Sequence, residues 1–232
     1  MDGLSERFSL VSRIGILGGS FNPIHAGHMR MAVETRELLG LERVLLMPAS
    51  EPPHKPGDGM LPFAHRLRLV ELAVRGVTGI TASGMEGQRP GPSYTVDTLT
   101  ALREKAPEDE QTFILGSEAF FALPTWRRGL ELPHLCHLAV VLRNGSDPQE
   151  IVDFAEKAWP GMERAGEGLL RFATGNSLHI VSMPVFEVSA TDIRERWRQR
   201  RCLAMLVPPA AEEIMERGGT AYEQAWGRRA DI

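Results

Sequence analysis

Apolar runs of strand length alternate along the chain with stretches whose apolar residues recur at helical spacing. "RIGILG" at 13–18 is continuous enough to be a strand buried on both faces. Residues 25–39 then place Met29, Ala32, Val33, Leu38 and Leu39 on a helix, and Gly40 supplies its stop. The alternation continues. "RVLLMP" (43–48) precedes a helix over 62–76 opened by Pro62, and "GITAS" (79–83) precedes one over 93–105 with Ser93 as its expected cap. "TFILG" (112–116), "CHLAVVLR" (136–143) and "LHIVSMP" (178–184) are further strands, and helices over 191–200 and 209–217 close the chain. Such alternation predicts an α/β, Rossmann-like, doubly wound fold: a mostly parallel sheet with helices on both faces. Ligands bind these sheets beyond the carboxyl ends of the strands, where the strand order reverses. The Pro- and Gly-rich stretch 49–61 reads as a long loop, and the less apolar 144–177 as an irregular surface elaboration. Residues 1–232 are thus expected to form one domain, with a core over 13–200 and a C-terminal helical segment over 201–232.

Composition narrows the function classes. At 43% hydrophobic and 24% charged residues the chain is of globular type. It has no run near the ~18 apolar residues of a membrane span. "MDGLSERFSLVSR" lacks the apolar centre of a signal peptide, so the cytoplasm is expected. Cys136 and Cys202 are too few for a disulfide scaffold and too far apart for a CxxC site. A net charge of −4 argues against nucleic acid as a partner. The arginine-rich "RERWRQRR" (194–201) reads either as a solvated helix face or as an anion site. Oligomeric state, including whether the chain forms a homo-oligomer, is not legible.

The informative stretch is "GILGGSFNPIHAGHMR" (15–30), at the first strand-to-helix turn. Gly18 and Gly19 let backbone approach a ligand and permit positive φ. His25 and His28, three apart, share one face of the helix's first turn. A helix start offers amide donors and partial positive charge, so two imidazoles there complete a phosphate cradle. Neither GxGxxG nor GxxxxGK[ST] is present, and no third ligand has convincing zinc spacing, so no protein-held metal is expected. His65, His134, His137 and His179 read as structural bystanders.

"GGSFNPIHAGH" resembles the signature of the HxGH nucleotidylyltransferases. With "PPHK" (52–55), "SYTVDTL" (93–99), "LPTWRR" (123–128) and "VSATDIRERW" (188–197) in order, the chain is similar to the bacterial nicotinate-nucleotide adenylyltransferases over most of its length. The resemblance implies that ATP and nicotinate mononucleotide combine into nicotinate adenine dinucleotide and pyrophosphate. The nucleophile is an already ionised phosphate oxygen, so no base is required. Catalysis is then positioning plus electrostatics, and neighbouring phosphates favour the doubly donating imidazolium. Gly18, Gly19, Ser20, Phe21, His25 and His28 would meet ATP, with His28 at the α-phosphoryl. Ser189 and Thr191, at a helix start, and Arg194, one turn in, would hold the remaining phosphates. Lys55 would close over them from its loop. Trp126 would stack on the pyridine, amides at Tyr94 and Thr95 would receive its carboxylate, and Gly116 and Glu118 would lie along the bound nucleotide. Mg²⁺ would enter with ATP.

Two positions depart from the family pattern. Glu118 stands where Asp is usual, and Ala190 replaces a serine between Ser189 and Thr191. Two alternatives stay open on the sequence. One is another HxGH transferase, acting on phosphopantetheine or on a sugar or polyol phosphate; the other is a non-catalytic nucleotide sensor.

Overall fold

The computed structural model describes residues 11–53, 59–142, 146–184 and 186–231. One sheet of eight strands runs through it. In chain order these are β1 (Arg13–Gly19), β2 (Arg43–Pro48), β3 (Ile80–Ala82), β4 (Glu110–Gly116), β5 (His137–Val141), β6 (Glu163–Gly166), β7 (Leu169–Arg171) and β8 (Ser177–Val181). Their spatial order is β3-β2-β1-β4-β5-β8-β7-β6. The first five and β8 pair in parallel, whereas β6 and β7 form an antiparallel hairpin on the β8 edge. The chain moves outward from β1 through β2 to β3, then returns to β4 on the other side of β1. Strand order therefore reverses between β1 and β4, and a crevice opens at their carboxyl ends.

The alternating directions of strand side chains divide the core in two. Leu17, Ile114, Ala139 and Val141 point to one layer, built with α1 (Ala26–Leu38), α2 (Phe63–Ala73), α6 (Ala190–Arg198), α7 (Pro209–Arg217) and α8 (Thr220–Trp226). Ile16, Phe113, Leu115, Leu138 and Val140 point to the other, built with α3 (Thr95–Lys105), α4 (Ser117–Phe121) and α5 (Pro148–Ala158). Helices thus cover both faces, as the alternation requires.

Several elements differ from expectation. Residues 148–158 form a regular amphipathic helix with Asp147 as its cap, Asp147 Oδ1 accepting from Gln149 N at 2.8 Å, and residues 163–171 contribute the hairpin. The span 144–177 is therefore largely ordered structure on the sheet's edge. Its strands are three and four residues long and mostly exposed, so they carry little apolar signal. Ser93 does not cap α3; its hydroxyl instead accepts the amide of Ser50 at 2.8 Å, joining two loops at the crevice. Leu38 faces solvent at 58% exposure, because it lies off the stripe through Ala32 and Thr35 that α1 buries. Helix α8 follows α7 directly and is a finding of the structure.

Candidate active site

The turn after β1 carries the site. Phe21 takes a left-handed φ of 45°, while Gly18 and Gly19 do not; their contribution is open backbone at the crevice rather than unusual dihedrals. Phe21 is buried and stands edge-on to His28, with centroids 4.9 Å apart. Its ring supports the imidazole. His25 is the N-cap residue of α1 and is buried, and its ring stacks on His28 at 3.7 Å and 29°. Gly27 is required between them. A Cβ there would sit 2.9 Å from Val188 Cγ1 and 3.1 Å from His25 Nδ1, so any side chain would displace the ring. The helix start offers fewer amides than the sequence suggests, since Ala26 N donates to the carbonyl of Leu206 at 2.8 Å.

Arg194 reaches this turn from α6. Its Nη1 donates to the Asn22 carbonyl at 2.9 Å and its Nη2 to Thr191 Oγ1 at 3.0 Å. Partial burial lowers its pKa, which raises the worth of any anion that pairs with it. Ser189 caps α6, accepting the amide of Asp192 at 3.0 Å. The rest of the arginine-rich stretch serves structure: Arg196 donates to the Cys202 carbonyl, Arg198 pairs with Glu195, and Arg200 donates to the Ala230 carbonyl. Only Arg194 of that run faces the turn.

Two cavities open along the carboxyl edge. One, of about 250 Å³, is lined by His25, Gly27, His28 and Glu118 together with Met183, Phe186 and Val188. The other, of about 490 Å³, is lined by Gly18, Gly19, Ser20, Tyr94, Thr95, Phe113 and Trp126. Trp126 stands edge-on to Phe113 at 6.3 Å, and the start of α3 opens onto the same space. Glu118 thus falls at the histidines rather than beside Trp126. Gly116 ends β4 just before α4 and lines neither cavity. Lys55 lies outside the described residues.

Four residues went unread in the sequence. Asn22 is buried, and its side chain accepts from Leu61 N at 3.1 Å and donates to the Gly59 carbonyl at 2.6 Å. Arg66 is buried, donating to the carbonyls of Ser20, Ala49, Ser50 and Leu61 at 2.6–2.9 Å. Burial brings its pKa down to about 10, against the opposing pull of Glu86. It ties the loop after β1 to the loop after β2. Glu86, also buried, borders the larger cavity and accepts from Thr98 Oγ1 at 2.7 Å. Arg127, at the rim, lies 4.6 Å over the Tyr94 ring and 3.9 Å from Asp97. Only Arg66 leaves a trace in the pattern, as a cation in phase with Phe63, Leu69 and Val70 on a buried helical stripe. His137 and His179, by contrast, lie in the sheet away from both cavities, and His137 Nδ1 accepts from Ser177 N at 2.9 Å.

A glycine-bearing turn at a sheet's reversal point, with paired imidazoles at a helix start and an arginine bonded to the same turn, is the geometry of a nucleotide-handling transferase. The chain belongs to the cytidylyltransferase-like family, whose model matches residues 16–196. Among named relatives, it is 39% identical over 207 residues to the "probable nicotinate-nucleotide adenylyltransferase" of Pelobacter propionicus, a match covering 88% of this chain and 95% of that one. It is 37% identical over 209 residues to the protein of the same name from Thermomicrobium roseum, covering 90% and 91%. Of solved structures, the nicotinic acid mononucleotide adenylyltransferase of Plasmodium falciparum, solved with NaAD, shares the fold at a TM-score of 0.69 and 17% identity, over 92% of this chain and 98% of that one.

Proposed function

We propose that the chain is an adenylyltransferase: it transfers the adenylyl group of ATP to nicotinate mononucleotide, giving nicotinate adenine dinucleotide and pyrophosphate in NAD biosynthesis. The observation that carries the residue roles is the stacked His25–His28 pair on the turn to which Arg194 bonds, next to a separate cavity walled by Trp126.

The phosphate of the mononucleotide attacks the α-phosphorus of ATP in line, and pyrophosphate leaves. The attacking oxygen is already ionised, so the protein need not remove a proton. Its work is to hold two polyanions together and to meet the charge that develops on the α-phosphoryl and the leaving group. His28 donates to the α-phosphoryl. His25, fixed against it, shares the triphosphate. Arg194 turns toward the β- and γ-phosphates, at the capped start of α6 where Ser189 and Thr191 stand. Lys55 adds charge to the triphosphate site. The pyridine enters the larger cavity, its ring against Trp126 and its carboxylate at the start of α3 by Tyr94 and Thr95. A carboxylate held by amide donors separates nicotinate from its amide by charge. Magnesium arrives as part of the ATP substrate and keeps most of its water. Among the described residues no group of three or more His, Cys, Asp or Glu is placed to hold a metal ion. Among the described residues no helix is long and apolar enough to cross a membrane, and on this reading the reaction takes place in the cytoplasm. On the same reading residues 1–232 are one domain, with the helices α7 and α8 of the 201–232 segment packed on its core.

Pyrophosphate release tests this reading. Turnover is expected with ATP and nicotinate mononucleotide, and much less with the nicotinamide form. Turnover with phosphopantetheine and none with nicotinate mononucleotide would overturn the substrate; an absence of pyrophosphate release with every acceptor tried would leave only a nucleotide sensor.

A further inference from the structure

The family match ends at residue 196, yet two later residues bond directly to the histidine turn. Leu206 carbonyl accepts the amide of Ala26, the residue beside His25, at 2.8 Å. Trp226, in α8, donates from its indole Nε1 to Asn22 Oδ1 at 3.2 Å, in a buried contact. Asn22 is the residue whose carbonyl anchors Arg194 and whose side chain also binds Gly59 and Leu61, just before α2. Its side-chain oxygen therefore serves two donors, Leu61 N and Trp226 Nε1, and neither position can move without disturbing the other.

The indole is itself held on two sides. Trp226 is buried and stands edge-on to Tyr222 at 5.0 Å and to Trp197 at 5.4 Å. Trp197 belongs to α6, the helix of Arg194, and donates to the Met215 carbonyl of α7 at 2.7 Å. One aromatic group thus joins α6, α7 and α8, and a single polar atom of that group reaches out to the turn. A buried indole N–H needs an acceptor; that of Trp197 finds one within the helical cluster, at the Met215 carbonyl, whereas that of Trp226 is directed to the ligand-bearing turn.

We propose that Trp226 is a positioning residue for adenylyl transfer: through Asn22 it sets the histidine turn, the Arg194 anchor and the 59–61 segment in one arrangement. The inference rests on the reading that this turn receives the triphosphate. Losing one such hydrogen bond is worth about fivefold in an equilibrium.

The test compares Trp226→Phe, which keeps an aromatic and removes the N–H, with Trp226→His, which keeps a ring N–H, in the full-length enzyme. In Trp226→Phe the KM for ATP is expected to rise about fivefold while the KM for nicotinate mononucleotide stays within the error of the assay. Trp226→His should recover part of the loss. Simple loss of folded enzyme lowers kcat and moves neither KM. Hydrogen–deuterium exchange of the unliganded enzyme gives a readout independent of substrate: exchange should quicken at Leu61 and at 22–26. Unchanged exchange there, or an unchanged KM for ATP in an enzyme that turns over, overturns the proposal. An enzyme that shows the exchange change but no turnover with these substrates overturns the functional reading instead.

Discussion

The two cavities on the sheet's carboxyl edge are built on different physics. At the histidines the walls are held by directional bonds: Arg194 to the Asn22 carbonyl, Ala26 N to Leu206, and the imidazoles locked between Phe21 and Gly27. At Trp126 the walls are larger and mostly apolar, and they come from short segments around Tyr94, Phe113 and Trp126. A phosphate is recognised by donors at fixed distances, so its site must be braced before ligand arrives. A pyridine ring is recognised chiefly by area and stacking, which tolerate small shifts. Substitutions should therefore fall steeply at one end and gently at the other.

The largest effect is expected where the two ends are joined. Arg66→Met removes the donor shared by four loop carbonyls and leaves them buried without it. Urea unfolding should show a loss of roughly 3 kcal/mol or more, given about 1–3 kcal/mol for each such group. A loss below about 1 kcal/mol would mean that water replaces the guanidinium freely. At the braced end, His28→Ala should keep the far-ultraviolet circular dichroism of the native fold and lower kcat on the order of a hundredfold. Turnover close to that of the parent would remove His28 from the reaction. At the apolar end, Trp126→Ala should raise the KM for nicotinate mononucleotide about tenfold, the range of one base–aromatic stack. The KM for ATP should move far less; equal shifts in both would erase the contrast between the cavities.

The same contrast explains what the sequence makes legible. The parallel core announces itself because strands buried on both faces are continuous apolar runs, as in 13–18 and 43–48. The turn announces itself because its chemistry is local: His25 and His28 need only three-residue spacing to share a face. The bracing is invisible for the opposite reason. Asn22 meets Gly59, Arg194 and Trp226 from across the chain, and an asparagine in a loop reads the same whether it binds three segments or none. Ser93 misled for a related reason: a serine before a helix favours capping, but a long-range partner at Ser50 took its hydroxyl. Glu118 follows Gly116 closely in sequence, yet α4 begins between them and carries the carboxylate to the histidine cavity.

The smallest effect lies outside both cavities and separates stability from function. His179, in β8, has its pKa held down to about 4 by burial first and by the charges of His137 and Arg13 second. His137 is lowered as well, again mainly by burial. In the unfolded chain an imidazole takes its proton near pH 6.5. His179 therefore contributes stability that is present above pH 6.5 and lost as pH falls toward 4, because only the unfolded chain binds the proton across that window. The urea midpoint should drop over this range, and His179→Gln should remove part of the drop while leaving the KM for both substrates unchanged at neutral pH. If the variant lost as much stability as the parent between pH 6.5 and 4, the acid sensitivity would belong to other groups. The half-buried imidazole would then be packing alone. If instead the KM for ATP moved, the strands behind the histidine turn would be coupled to it, and the division between a braced end and an independent scaffold would fail.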